Sequence, residues 1–273
     1  MATIKVKDIF NYVKANTKES IADSFVADLN YSIKKNNENT ESVVSQTYKP
    51  SSLNCIRNMY YQITGVETDS TSDITGDSVG IAESGTDRHQ RIQDAVMHMK
   101  DAGIDCEYID VETYIKEHNL TDLKVVEQHG YETKLINTKY NFRFLCDGII
   151  KYKGKYYILE IKTEVSFKWN NRDEVDPSHY NQAVAYALNF DINEVLFLYE
   201  NRDICSKKSY LYVVSEQQKQ ELINLIQSCD NYVSKNILPP MPMNLNYNSK
   251  QCRYCSYKNR CILENWYEES KLR

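Results

Sequence analysis

The 273-residue sequence has no run approaching the roughly 18 to 20 consecutive apolar residues that a membrane-spanning helix needs. Its opening, "MATIKVKDIF", lacks the apolar centre of a secretory signal, so a cytoplasmic protein with no membrane partner is expected. Positive charge is not in excess either: 33 Lys and Arg against 38 Asp and Glu give a net charge of −5. That argues against a generally basic coat for nucleic acid and leaves room only for a local basic track. A phosphate-cradling loop is missing, because the nearest spacing, Gly80 to Gly85, continues with Thr86 and Asp87 where Lys and Ser or Thr are needed. A nucleotide-driven motor is thereby excluded. Internal repeats and low-complexity tracts are absent as well.

What is present reads as alternating helical and β-rich stretches. Ile9, Phe10, Val13, Ile21, Phe25, Val26 and Leu29 are spaced for one or two amphipathic helices, with "KKNNENTES" as a loop after them. "YKPSSLNCIRNMYYQITG" reads as a turn feeding a short helix, and "ETDSTSDITGDS" as a flexible connection or lid. A helix is expected over "SGTDRHQRIQDAVMHMKDAG", capped by Thr86 or Asp87, ended by Gly103, and with His89 near its start. From 124 to 165 three strands are expected, "KVVEQHGYETKLI", "YNFRFLCDGIIKY" and "KYYILEIKTEV". A helix over "DPSHYNQAVAYALNF", strands at "EVLFLYE" and "SYLYVVS", and a long helix ending before Pro239 and Pro240 follow. The segment "SKQCRYCSYKNRCILENW" forms a small cysteine-bearing appendix.

The third of those strands carries the first chemical signal. If "KYKGKYY" is a hairpin turning on Lys153 and Gly154, Tyr152 faces Lys155, and counting back sets Asp147 opposite Glu160. Cross-strand Cβ atoms lie about 5 Å apart, so two carboxylates there repel unless a cation separates them, and hard ions such as Mg²⁺ or Mn²⁺ suit oxygen ligands. Lys162 lies two residues on, on the same face. The plain alternative is that Glu160, Lys162 and Glu164 form the solvated face of an amphipathic strand. Against it, Tyr156 and Ile158 share that face, and Asp147 ends the apolar run "FRFLCDGII".

The order of Asp147, twelve residues, then Glu160-Ile161-Lys162 resembles the catalytic signature of the PD-(D/E)XK nuclease superfamily. "SGTDRHQRIQ" upstream and "YNQAVAYAL" downstream are similar to the Gly-Thr…His and Gln-x-x-x-Tyr elements of its RecB-like branch. This resemblance implies a metal held by His89, Asp147, Glu160 and Ile161, a charge-stabilising Lys162, and a supporting pair, Gln182 and Tyr186. Spaced i, i+4, that pair shares a helix face, from which it could contact DNA phosphates or orient Lys162. The remaining histidines, His98, His118, His129 and His179, are expected in ordinary roles.

Cys252, Cys255 and Cys261 form C-x₂-C-x₅-C, a spacing open to zinc or iron–sulfur. With Cys55 ahead of the nuclease-like motifs, the set resembles the iron–sulfur nucleases of the Cas4, AddB and Dna2 type. That implies a [4Fe-4S] cluster on Cys55, Cys252, Cys255 and Cys261, while Cys106, Cys146, Cys205 and Cys229 read as buried small hydrophobes. Lys250, Arg253, Lys258 and Arg260, with Tyr254 and Tyr257 between them, read as a phosphate-and-stacking patch or a solvated basic face.

The fold the resemblance implies is α/β, a restriction-endonuclease-like core with a central mixed sheet flanked by helices, and an iron–sulfur clasp joining the N- and C-terminal segments. The chain is then divided as 1–46, an N-terminal helical segment outside the resemblance; 47–82, the first cluster cysteine and a linker; 83–240, the nuclease core; and 241–273, the cluster segment. The activity implied is metal-dependent DNA exonucleolysis on single strands or overhangs with a free end, alone or beside a helicase or recombination partner. Recombination, phage and CRISPR-adaptation nucleases read alike at this level. A non-catalytic DNA-binding or partner-recruiting protein with the same fold, or a zinc-stabilised adaptor, is the alternative.

Overall fold

The computed structural model describes residues 21–38, 46–69, 75–129, 132–242 and 246–271. The expected helix around Ile9, Phe10 and Val13 lies outside them. The chain divides into a small unit, 1–42 with 71–84, and a large one, 43–70 with 85–273. In the small unit α1, Ile21–Glu38, runs through the Lys-Lys-Asn-Asn-Glu stretch expected as loop, and its late lysine suits the negative end of the helix.

The large unit is α/β. After a 3₁₀ turn at Pro50–Ser52 comes α2, Ile56–Ile63; of α3, Gly76–Met97, the residues from Gly85 on belong to the large unit. β1, Cys106–Ile109, and α4, Val111–Glu117, precede two stretches each expected as one strand, of which the first is a hairpin and the second divides between the two sheets. They resolve into β2, Leu123–His129, β3, Glu132–Asn137, β4, Phe142–Cys146, and β5, Gly148–Tyr152, followed by β6, Lys155–Glu164. Next are α5, Ser166–Asn170, α6, Tyr180–Phe190, β7, Glu194–Asn201, β8, Lys207–Val213, and α7, Glu216–Ser234. Two helices at the cysteines, α8, Lys250–Arg253, and α9, Lys258–Lys271, close the order.

Five strands form a mixed sheet in the order β1-β5-β6-β7-β8, and three form an antiparallel sheet, β2-β3-β4. Among the described strands only β6 and β7 pair in parallel, joined through α5 and α6. One core lies between the sheets and helices α2, α6 and α7, built on Ile158, Phe197, Tyr199, Ala183, Phe190 and Ile226. A second packs Ile92 of α3 on Cys106, Ile150, Leu159 and Ile161. Among the described residues no helix is long and apolar enough to cross a membrane.

Three departures from expectation have local causes. α3 starts at Gly76 and not at Thr86 or Asp87, because Thr75 and Ser78 exchange backbone-to-side-chain hydrogen bonds of 3.0 and 3.2 Å, a reciprocal cap ahead of the glycines. His89 therefore sits well inside the helix. "YNFRFLCDGIIKY" breaks at Asp147, whose carbonyl leaves both ladders to accept from Gln93 Nε2 at 2.6 Å and Tyr108 Oη at 2.8 Å. Cys205, expected in the core, is exposed, whereas Cys106, Cys146 and Cys229 are buried.

Candidate active site

The Lys153–Gly154 turn is the two-residue hairpin expected, both residues at positive φ, 50° and 80°, and Tyr152 pairs with Lys155. Gly148 pairs with Leu159, so extending the register one step sets Asp147 beside Glu160. Alternation along β6 then divides its residues. Leu159 and Ile161 turn to the α3 core, while Glu160, Lys162 and Glu164 turn to the side covered by α6. This face is not solvated, and Glu160 is only 3% exposed.

Around Glu160 the side chains interlock. Lys162 Nζ donates to Glu160 Oε1 at 2.6 Å and to Gln182 Oε1 at 3.1 Å. Gln182 Nε2 donates to the same Glu160 oxygen at 2.7 Å and to Tyr186 Oη at 2.8 Å; the tyrosine hydroxyl in turn donates a hydrogen bond to the Leu145 carbonyl at 3.1 Å. Gln182 and Tyr186 are one turn apart on α6, so one helix face supplies both. Glu160 Oε2, though buried, has no hydrogen-bond partner. Burial, with Asp147 adding repulsion, pushes this carboxyl up to about 7 against the pull of Lys162. Burial acts to lower Lys162, but Glu160 outweighs it and the ammonium is held above its ordinary value.

Asp147 is held at both ends. The Ile161 N–H donates to Oδ2 at 2.7 Å, and His89 Nδ1 lies 3.2 Å from Oδ1. In an extended strand the N–H and C=O of one residue point to the same side, so the Ile161 carbonyl also faces the space past the end of β5. α3 reaches Asp147 twice at i, i+4, with His89 at the carboxylate and Gln93 at the carbonyl. Burial lowers the His89 imidazole, yet Asp147 and the nearby carboxylates more than offset this and hold it above its ordinary value.

Gln93, Tyr108 and Glu132 escaped the sequence reading. Gln93 and Tyr108 act on a backbone atom, which leaves no motif. Glu132 begins β3, and its Oε1 is 3.7 Å from His89 Nδ1. The donor atoms of His89, Glu132 and Asp147 all lie within 4.8 Å of one another. Splitting "VVEQHGYETKLI" into a hairpin at its His-Gly-Tyr would have exposed it.

Cys55, Cys252, Cys255 and Cys261 line one enclosed space, together with Arg57, Asn58, Tyr61, Met241, Tyr247 and Lys258. Arg57 Nη1 donates to Cys261 Sγ at 3.5 Å; Asn58 Nδ2 and the Tyr257 N–H donate to Cys255 Sγ at 3.6 and 3.5 Å. Arg57 is buried, and its other hydrogen bonds go to the Pro239 carbonyl and the Asn265 amide, so none reaches a carboxylate. Burial raises the Cys55 and Cys255 thiols. Tyr257 is buried against Tyr61, with ring centroids 5.3 Å apart, and is not the base-stacking surface expected of it; Tyr254 is exposed.

No family model matches the chain, and no curated protein matches it. Among solved structures it is similar to SSO0001, with 13% identity over 89% of this chain and 98% of that one and a TM-score of 0.43. It is also similar to LHK-Exo, crystallised with dAMP, with 12% identity over 71% and 90% of the two chains and a TM-score of 0.41. Likenesses this weak leave the chemistry to the geometry of the site.

Proposed function

We propose that the chain is a metal-dependent deoxyribonuclease of the RecB-like PD-(D/E)XK kind, with a restriction-endonuclease-like core and an iron–sulfur clasp. The observation that carries this is the buried, unpartnered Glu160 Oε2 beside Asp147. An isolated carboxylate oxygen in a dry site costs several kcal/mol (~2–7 for polar groups left unbonded), and a cation between the two carboxylates removes the cost. The donor set suits Mg²⁺ or Mn²⁺, with Asp147, Glu160, His89 and the Ile161 carbonyl as the residues that would hold it.

When bound, such a cation polarises a phosphate oxygen and lowers the pKa of a coordinated water. Lys162, fixed by Glu160 and Gln182, presents a preorganised positive charge to the phosphate as negative charge builds on it. Of the two roles open to Gln182 and Tyr186, their hydrogen bonds favour orienting Lys162 and Glu160 over touching DNA, since Tyr186 is buried.

One feature supports a polynuclear cluster over zinc at the cysteines, and a second supports a thiolate-held metal site of either kind. A single tetrahedral zinc with Zn–S near 2.3 Å needs sulfurs about 3.8 Å apart. Among the described residues only His89, Glu132 and Asp147 gather three ligand atoms within 4.8 Å, so no three of these thiols are that close. The buried Arg57 also needs a counter-charge, which four thiolates would supply.

Lacking a motor, the chain is not equipped to separate a duplex by itself, so single-stranded DNA or an overhang with a free end is the proposed substrate. Linear single-stranded, linear duplex and closed circular single-stranded DNA, offered with Mn²⁺, test this. Loss of the linear single strand alone is expected, and chelator should stop it. Equal cutting of the circle would mean endonuclease action, and binding of all three without cutting would favour a non-catalytic DNA-binding protein.

A further inference from the structure

Resting on the cation site proposed above, we propose that Glu132 is an additional carboxylate ligand of the divalent cation, acting with His89 and Asp147.

β3 and β4 pair Thr133 with Cys146, so one further step of that register brings Glu132 opposite Asp147. On the other side of Asp147, the β5–β6 register brings Glu160 to the same level. Asp147 is thus flanked by a carboxylate from each sheet. Lys162 is engaged by Glu160, while His89 Nδ1 lies 3.7 Å from Glu132 Oε1 and 3.2 Å from Asp147 Oδ1. The donor atoms of His89, Glu132 and Asp147 already lie within 4.8 Å of one another, the spread of a coordination shell with one nitrogen and two oxygens. An independent sign of a missing cation is Glu160 Oε2, which belongs to a side chain 97% buried and has no partner. One nitrogen among hard oxygens suits Mn²⁺ better than Ca²⁺.

The competing explanation makes Glu132 no more than an ion-pair partner for His89. Binding of Mn²⁺ separates the two when Glu132→Gln is compared both in the wild-type chain and in a His89→Ala chain: an ion-pair partner of His89 has nothing left to orient there, whereas a ligand still raises the Kd when neutralised. The full chain, freed of divalent ions with EDTA, is titrated with Mn²⁺ by calorimetry or by the electron paramagnetic resonance of the free ion. The comparison is wild type against Asp147→Asn, Glu132→Gln, Glu132→Ala and Glu132→Asp, and His89→Ala with and without Glu132→Gln. We expect Asp147→Asn to weaken binding strongly, both neutral Glu132 variants to raise the Kd about tenfold or more, and Glu132→Asp to recover part of the loss. The rise in Tm that Mn²⁺ gives the wild type should shrink in the same order. If wild type and Asp147→Asn take up Mn²⁺ alike, the cation site itself is wrong. If Asp147→Asn loses Mn²⁺ while Glu132→Gln or Glu132→Ala holds it as wild type does, or while Glu132→Gln leaves the Kd of the His89→Ala chain unchanged, only the Glu132 assignment falls. Either neutral variant that melts cooperatively in EDTA is sufficient for this decision.

Discussion

At Asp147 each part of one residue has its own partner: the carbonyl takes Gln93 and Tyr108, one carboxylate oxygen takes the Ile161 amide, and the other lies at His89. Asp147→Asn or Glu160→Gln keeps side-chain volume and removes charge. Each should lower DNA cleavage at least about a hundredfold while the circular dichroism spectrum and cooperative melting persist; full activity in either would end the assignment. Gly148 shows how tightly this region is built, since a Cβ there would lie 2.7 Å from the Tyr108 ring. Gly148→Ala must displace Tyr108 from the Asp147 carbonyl, with an expected loss of about 1–3 kcal/mol in urea denaturation and a further drop in cleavage. Wild-type values for both would show that the tyrosine is dispensable. The Asp147–Glu160 pairing was legible in the sequence because a two-residue turn transmits its register by counting. Glu132 was not, because it comes level with Asp147 only when this stretch folds back as two strands, and its apolar pattern runs on without a strong turn signal.

The element that organises the site is β6, whose polar face passes from Glu160 through Lys162 to Glu164. Sequence pattern alone could not decide whether that face met water, for charged residues at alternate positions fit either outcome. Tyr156 and Ile158 on the same face were the available clue. Beyond the site, Arg172 clamps Glu164 at 2.5 and 2.7 Å and lies over the Tyr199 ring, 4.2 Å from its centroid. His179 stacks on Phe197 and Tyr199 and meets the Tyr199 hydroxyl at 3.0 Å. Burial, then the nearby Lys162, brings His179 down to about 4. An unfolded histidine protonates near pH 6.5, so below that the unfolded chain binds more protons than the folded one. Stability contributed by the neutral ring is complete above about pH 6.5 and declines as pH falls toward 4. Glu160 and His89, both held high, act in the opposite sense, so the test is relative. On going from pH 7.5 to 5 the urea midpoint of His179→Gln should move toward greater stability compared with that of wild type, and an identical change in the two would exclude His179 as a source.

At the scale of the whole chain, Cys55 meets three cysteines nearly two hundred residues later around one space. Spacing made the C-x₂-C-x₅-C group visible in the sequence, whereas its meeting with Cys55, and the burial of Tyr257 beneath it, depend on tertiary packing. Anaerobically purified protein should be brown and carry about four irons per chain. Cys252→Ser should lose the colour and melt lower than Cys229→Ser; colourless protein with one zinc per chain would overturn the cluster. The break at Asp147 has a different consequence. Because β4 ends and β5 begins on either side of this single residue, the same chain position ties together the three-stranded and five-stranded sheets. Whatever fixes its carboxylate also restrains the joint between them, so occupancy of the site should be readable far from any DNA. Amide hydrogen exchange in β3, β4 and the start of β5 should slow together on addition of Mn²⁺, as one cooperative unit losing its local opening, while β8 at the far edge exchanges as before.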